Sequence, residues 1–232
     1  MEILNRKEKN IKKSSLNLIA HNDPNSSISE QYRMIRTNIE FASVDKKVQS
    51  IVVTSAVPSD GKSTTASNLA IVLAQTGKRV LLVDADLRKP SIHYAFNLSN
   101  TQGLTNVLVN RITLKNAISH IDIPNLSVLT SGPVPPSPSE LLSSKKMKLI
   151  IEELNQTFDY IIFDTPPVLA VTDPQVLSEQ CDAILMVVKS GETPKEAALK
   201  AKALLQKSKT PILGMILNNM RFKTSKYNYL YK

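Results

Sequence analysis

Cysteine is nearly absent from this sequence. Cys181 is the only one in 232 residues. A lone cysteine excludes an internal disulfide and fits a reducing compartment. Long apolar runs are also missing. The longest candidates, such as residues 184–188, have the length of a sheet strand, against the roughly 20 residues a bilayer demands. The N-terminus, MEILNRKEKNIKK, has basic residues with no apolar stretch behind them, so no secretory signal is expected. These absences predict a cytoplasmic protein whose membrane contact is peripheral or runs through a partner. The body also lacks strong charge. The formal net charge is +9, but residues 1–13 hold five Lys/Arg against two Glu, and residues 221–232 hold four Lys/Arg and no acid. About +2 is left for everything between. A basic platform for nucleic acid is therefore excluded, and no nucleic-acid partner is expected. The basic tails read either as solubilising segments or as weak contacts with acidic lipid or a partner.

What is present is enough for one globular domain. Hydrophobic residues make up 42% and charged residues 21% of the chain, and its length allows a real core. Residues 1–25 are polar, rich in Lys, Asn and Ser, and read as a flexible basic N-terminal segment. Residues 26–220 form the domain, without internal repeat or boundary, and residues 221–232 form a tail. Ser27 and Glu30 have the spacing of a capping box. Ile28, Tyr32, Ile35 and Ile39 then make one apolar helical stripe. Continuous apolar strands are expected at 50–55, 79–84, 125–131, 159–164, 183–189 and 211–219. Helices are expected at 62–76, 137–158 and 193–208, with Gly77 ending the first and Pro194 opening the last. Such alternation predicts an α/β fold: a mostly parallel central sheet with helices on both faces. The proline-rich 131–139 reads as a stiff loop, too short to be a linker between domains.

Three strand ends carry chemistry. The first is A-V-P-S-D-G-K-S-T, residues 56–64, between a predicted strand and a predicted helix. That is the setting a phosphate-binding loop requires, because loop N–H groups and the helix N-terminus both favour phosphate. Ser59, Asp60, Gly61, Lys62, Ser63 and Thr64 are the candidate nucleotide contacts. Gly61 permits close approach, Lys62 reaches the β- and γ-phosphates, and the Ser63 hydroxyl ligates Mg²⁺. Ala56 stands where the pattern has glycine. The second is VLLVDADLRKP, residues 80–90, in which Asp84 and Asp86 point to one side of an extended chain. One carboxylate can hold a magnesium-bound water, the other can accept a proton from an attacking hydroxyl. The bland alternative is an Asp-rich turn. The third is YIIFDTPP, residues 160–167, whose Asp164 would orient Mg²⁺ through water. Three such strand ends in one chain argue against coincidence.

Together these motifs resemble those of the bacterial tyrosine kinases, as do SGPVPPSPSELL and SEQYRMIRTNIEF. The resemblance runs from about residue 28 to the end and points to the separate cytoplasmic kinase subunit of Gram-positive bacteria. It implies a P-loop NTPase type of fold, a kinase domain over 26–220, ATP and Mg²⁺, and autophosphorylation of a tyrosine-rich C-terminus. It also implies a transmembrane adaptor that activates the chain and holds it at the inner face of the membrane, in capsule or exopolysaccharide synthesis. Protein-tyrosine substrates such as sugar-nucleotide enzymes and a cognate tyrosine phosphatase follow from the same resemblance. No H-R-D or D-F-G motif of the eukaryotic kinases occurs. The tail fits, with Tyr227, Tyr229 and Tyr231 at alternate positions of SKYNYLYK; the alternative is an ordinary exposed terminus. Glu30, Arg33 and Arg36 lie about one helical turn apart. They are either a solvated face or, as the resemblance implies, the contacts that close a ring of subunits. Asn218 resembles the adenine-contacting position of the wider P-loop group. Arg88 and Lys89 follow the acids, with nucleotide, tail and neighbouring subunit as open alternatives.

Two rival readings share the sheet. A dimer-switching ATPase of the partition or septum-site type would carry a second lysine in a K-G-G-x-G-K-[ST] loop, where this chain has Val57. A nucleotide-binding regulator without turnover could dispense with the proton acceptor, yet Asp84, Asp86 and Asp164 are all in place.

Overall fold

The computed structural model describes residues 16–43 and 47–220. In chain order the elements are α1 (Ile19–Asn22), α2 (Ser27–Ala42), β1 (Ser50–Ser55), α3 (Lys62–Ala74), β2 (Val80–Asp84), α4 (Ile92–Ala95), α5 (Leu104–Leu108) and α6 (Leu114–Ala117). There follow β3 (Ile118–His120), β4 (Leu126–Leu129), α7 (Pro138–Leu142), α8 (Lys145–Thr157), β5 (Tyr160–Asp164), α9 (Asp173–Ser178), β6 (Ala183–Lys189), α10 (Lys195–Leu205) and β7 (Ile212–Asn218). The seven strands run in the order β3-β4-β2-β5-β1-β6-β7. All pairs are parallel except β3 with β4. The predicted α/β class and the mostly parallel sheet are thus observed.

The central strands are buried on both faces, which is why they read as unbroken apolar runs. Ile51, Val53, Val80, Leu82 and Ile162 pack on α1, α2 and α3. Val52, Leu81, Val83, Ile161 and Phe163 pack on α5, α8 and α9. Ile184 and Met186 meet Ala201 and Leu205 of α10. Helix α3 is buried almost all round, so its polar residues need internal partners. The Asn68 side chain donates to the carbonyls of Thr64 and Asn17 and accepts the Ala20 N–H.

That last contact corrects the reading of residues 1–25 as flexible throughout. Residues 16–25 are described, and Ala20 is fully buried against α3. The segment contributes single apolar residues to a foreign helix, which no periodicity reveals. The cap of α2 also moves by one residue. Ser26, not Ser27, accepts the Ser29 N–H at 3.2 Å, and Ile28 stays half exposed while Tyr32 and Ile39 are buried. The predicted helix 137–158 is two helices. Ser144 caps α8 by accepting the Met147 N–H, because a serine that bonds its own backbone competes with helix continuation. Elements α4, α5, α6, β3 and α9 have three to six residues, too few for a periodic signal.

Candidate active site

The sheet order sets the site. β1 and β2 both flank β5, so the loop after β1 and the acids ending β2 and β5 share one edge. The parallel register places Asp84 opposite Asp164.

The loop between β1 and α3 is shaped by its own side chains. Ser59 and Gly61 both have left-handed backbone, at φ 69° and 92°. Asp60 is buried and acts as a brace, its carboxylate accepting the Val57 N–H at 3.2 Å and the Thr193 hydroxyl at 2.6 Å. The Asn218 amide donates to the Asp60 carbonyl at 2.9 Å and packs so close that a Cβ on Gly61 would lie 2.1 Å from its nitrogen. Glycine is required there for both conformation and space. Asn218 therefore touches the loop, with its Oδ1 taken by the Asn219 N–H. Ala56, in place of the pattern's glycine, is buried beside Val168 and Met186, where a methyl group fills core. Ser59 is exposed and Thr64 half-buried in the first turn of α3.

Lys62 lies at the centre. Its Nζ is 3.2 Å from both Asp86 Oδ2 and Ser63 Oγ and 3.8 Å from Asp164 Oδ1. Burial works against the ammonium, but the attraction of Asp164, Asp86 and Asp84 prevails and lifts its pKa above the ordinary lysine value. It is a fixed cation at any working pH. The two facing acids are fully buried. Burial raises the pKa of both; for Asp84 the charge on Asp164 adds to the rise, and for Asp164 the Lys62 ammonium opposes it. Asp84 Oδ2 accepts the N–H groups of Ser91 and Ile92 at 3.0 Å each. Asp84 Oδ1 and both oxygens of Asp164 accept no hydrogen bond.

Three buried carboxylate oxygens without a hydrogen bond, one of them 3.8 Å from the Lys62 ammonium, are costly unless something fills the space beside them. Their chemistry is that of hard oxygen donors suited to Mg²⁺. Among the described residues no group of three or more His, Cys, Asp or Glu side chains is arranged to hold a metal by itself. Magnesium is held by one or two carboxylates while waters and substrate phosphates complete its shell. Ser63, Asp84 and Asp164 fit the ion.

Asp86 is 4% exposed. Its Oδ1 accepts the Lys89 N–H at 2.9 Å, and its Oδ2 faces Lys62. Arg88 forms a two-point ion pair with Asp173, Nε to Oδ2 at 2.8 Å and Nη2 to Oδ1 at 2.9 Å. Asp173, Ser139 and Thr193 escaped the sequence reading. The only local trace of Asp173 is the T-D-P start of a short helix. Glu30 and Arg33 pair with each other at 2.6 Å, and Arg33 also donates to the Pro24 carbonyl. Arg36 turns toward α3 and donates to the Val72 carbonyl at 3.2 Å. Tyr227, Tyr229 and Tyr231 lie outside the described residues. Among the described residues no helix is long and apolar enough to cross a membrane.

A family model described as an AAA domain matches residues 48–206. The chain is 54% identical over 214 residues to the tyrosine-protein kinase YwqD of Bacillus subtilis (strain 168), covering 92% of this chain and 90% of that protein. It is 41% identical over 222 residues to the putative tyrosine-protein kinase CapB of Staphylococcus aureus, covering 95% and 97%. The crystal structure of the chimerical protein CapA2B2 superposes with a TM-score of 0.86 at 45% identity, covering 88% of this chain and 90% of that one. The septum site-determining protein MinD of Pyrococcus horikoshii shares the fold more distantly, with a TM-score of 0.63 at 25% identity over 73% and 69%.

Proposed function

This chain belongs to the bacterial tyrosine kinase family and is a tyrosine-protein kinase, and from that premise we propose that it transfers the γ-phosphoryl group of ATP to its own C-terminal tyrosines, Tyr227, Tyr229 and Tyr231. The observation that carries this reading is the convergence of Asp86 and Asp164 within 3.8 Å of the Lys62 ammonium group. It is a compact charged centre where a phosphate loop meets two acidic strand ends.

Catalysis rests on positioning and charge neutralisation. The loop 56–61 and the start of α3 hold the phosphates. Lys62 offsets charge on the γ-phosphoryl group. Ser63, Asp84 and Asp164 would hold Mg²⁺, which would supply the remaining charge neutralisation when bound. Asp86 accepts the proton of the attacking tyrosine, whose hydroxyl has a reference pKa of about 10 and needs such help at neutral pH. Phosphorus passes from the bridging oxygen of ATP to the phenolic oxygen, and ADP leaves. Mass spectrometry of the purified chain after incubation with ATP and Mg²⁺ tests this. Phosphate is expected on the three tail tyrosines and not after all three are changed to Phe. Phosphate confined to other sites would overturn the assignment.

The same reading includes a ring of subunits and a transmembrane adaptor that brings the kinase to the inner face of the membrane in capsule or exopolysaccharide synthesis. Support for the ring comes from α2. Met34 and Phe41 are 60% and 71% exposed on the helix that carries Glu30 and Arg33; seven residues apart, they share one side of it. Glu30→Ala combined with Arg33→Ala and Arg36→Ala is expected to yield a smaller assembly in sedimentation. Arg36 also holds the Val72 carbonyl, so a thermal melt must accompany the measurement. An unchanged mass with an intact fold would remove these charges from the interface.

A further inference from the structure

We propose that Arg88, Asp173 and Ser139 form a latch that positions Asp86, making Asp173 and Ser139 positioning residues for phosphoryl transfer. The inference rests on the reading of Asp86 as the proton acceptor. The segment 85–91 joins β2 to α4 and carries Asp86 and Arg88. On its inner side it is held by the site itself, through Lys89 N–H to Asp86 Oδ1 and Ser91 N–H to Asp84 Oδ2. On its outer side Arg88 forms an ion pair with Asp173, the only one made by this segment's outer side among the described residues. Asp173 opens α9 and is fully buried, while the Arg88 side chain is 38% exposed. Ser139 of α7 completes the triangle. Its hydroxyl donates to Asp173 Oδ1 at 2.9 Å and accepts from Arg88 Nη2 at 3.1 Å. Two oxygens and two nitrogens in a planar fork fix direction as well as distance.

This arrangement ties three separate segments at one point: the loop bearing Asp86, the helix after the proline-rich 131–137, and the helix after β5. Buried ion pairs are a poor source of net stability, since desolvation offsets most of the attraction. Their better-attested use is to specify one arrangement among several. Asp86 needs that service. One of its oxygens is already engaged by its own loop and the other by Lys62, so a loop free to shift by an ångström would carry the carboxylate away from an incoming hydroxyl. Misplacement on that scale costs about a hundredfold in rate.

The experiment separates placement from folding. Arg88→Ala leaves a buried carboxylate without its cation and is expected to lower both the melting temperature and kcat. Adding Asp173→Asn removes the stranded charge, so the double variant is expected to recover most of the melting temperature. Its kcat is expected to stay about ten- to a hundredfold low, with the KM for ATP within about twofold of the parent. Amide exchange supplies a readout independent of turnover: the Lys89 N–H is expected to lose protection in the double variant while the β2 and β5 amides keep theirs. Recovery of kcat together with melting temperature would reduce the triangle to a structural pair and overturn the latch. Asp86→Asn, run in parallel, distinguishes the two levels of the argument. If that variant retains full kcat, the acceptor reading fails. If it loses kcat while the double variant is fully active, the latch alone fails.

Discussion

Lys62→Met leaves a folded protein that carries no phosphotyrosine after incubation with ATP and Mg²⁺. The expected loss is at least about 10³-fold in transfer rate, the upper range for deleting one stabilising group from a preorganised site. The side chain sits at the edge of the sheet, and its stem contributes little to a core built on residues such as Leu69, Leu82, Ile162 and Phe163. Methionine keeps the length and most of the apolar volume, so circular dichroism should not change. Deleting the cation has a second consequence. Asp86 Oδ2 loses its partner at 3.2 Å and Asp164 Oδ1 its neighbour at 3.8 Å, leaving three buried carboxyl groups with no cation between them. A lower melting temperature without loss of secondary structure is the expected signature. Phosphotyrosine on the tail of a purified Lys62→Met protein, made in a host without tyrosine kinases, would sink the assignment of this centre.

How far the sequence spoke for itself depends on where the information lies. The central strands were legible because burial on both faces forces an unbroken apolar run, as in IVV of β1 and LLV of β2. The acids were legible because they end those runs, and the register that sets Asp84 beside Asp164 follows once β2 and β5 pair. Gly61 and Lys62 were legible from their setting between strand and helix. Asn218 is legible as a strand-end residue at a candidate nucleotide contact, but its bond to the loop, through the Asp60 carbonyl, is not. Asp60 likewise braces the loop with its side chain. The Asn218 contact and the Asp60–Thr193 bond have no local signature, because each joins residues more than 130 positions apart; only the Asp60 bond to the Val57 N–H is local. Asp173 is invisible for the same reason: it meets Arg88 across 85 positions. The break at Ser143–Ser144 and the placement of residues 16–25 depend on competition between backbone partners that hydropathy does not record.

Asp86→Asn separates proton acceptance from nucleotide binding, and its outcome can be reasoned from the two contacts Asp86 makes. The amide oxygen can still accept the Lys89 N–H, so the loop 85–91 keeps its inner anchor. The amide nitrogen then faces the Lys62 ammonium, donor against donor, where a carboxylate oxygen stood at 3.2 Å. Lys62 is expected to shift toward Asp164, already its ion-pair neighbour at 3.8 Å. The lysine thus remains in the site and can still meet a phosphate. ATP affinity is expected to stay within a few-fold of the parent, measured by calorimetry with Mg²⁺. Phosphoryl transfer to the tail is expected to fall by roughly 10²–10⁴, the range for removing a general base, because an amide cannot take the tyrosine proton. The ratio of the two effects decides the residue's role. If affinity falls as far as rate, Asp86 holds the metal or the lysine and a different group takes the proton. If rate alone falls, the acceptor is Asp86, and the tyrosine oxygen must arrive within hydrogen-bond reach of its carboxylate.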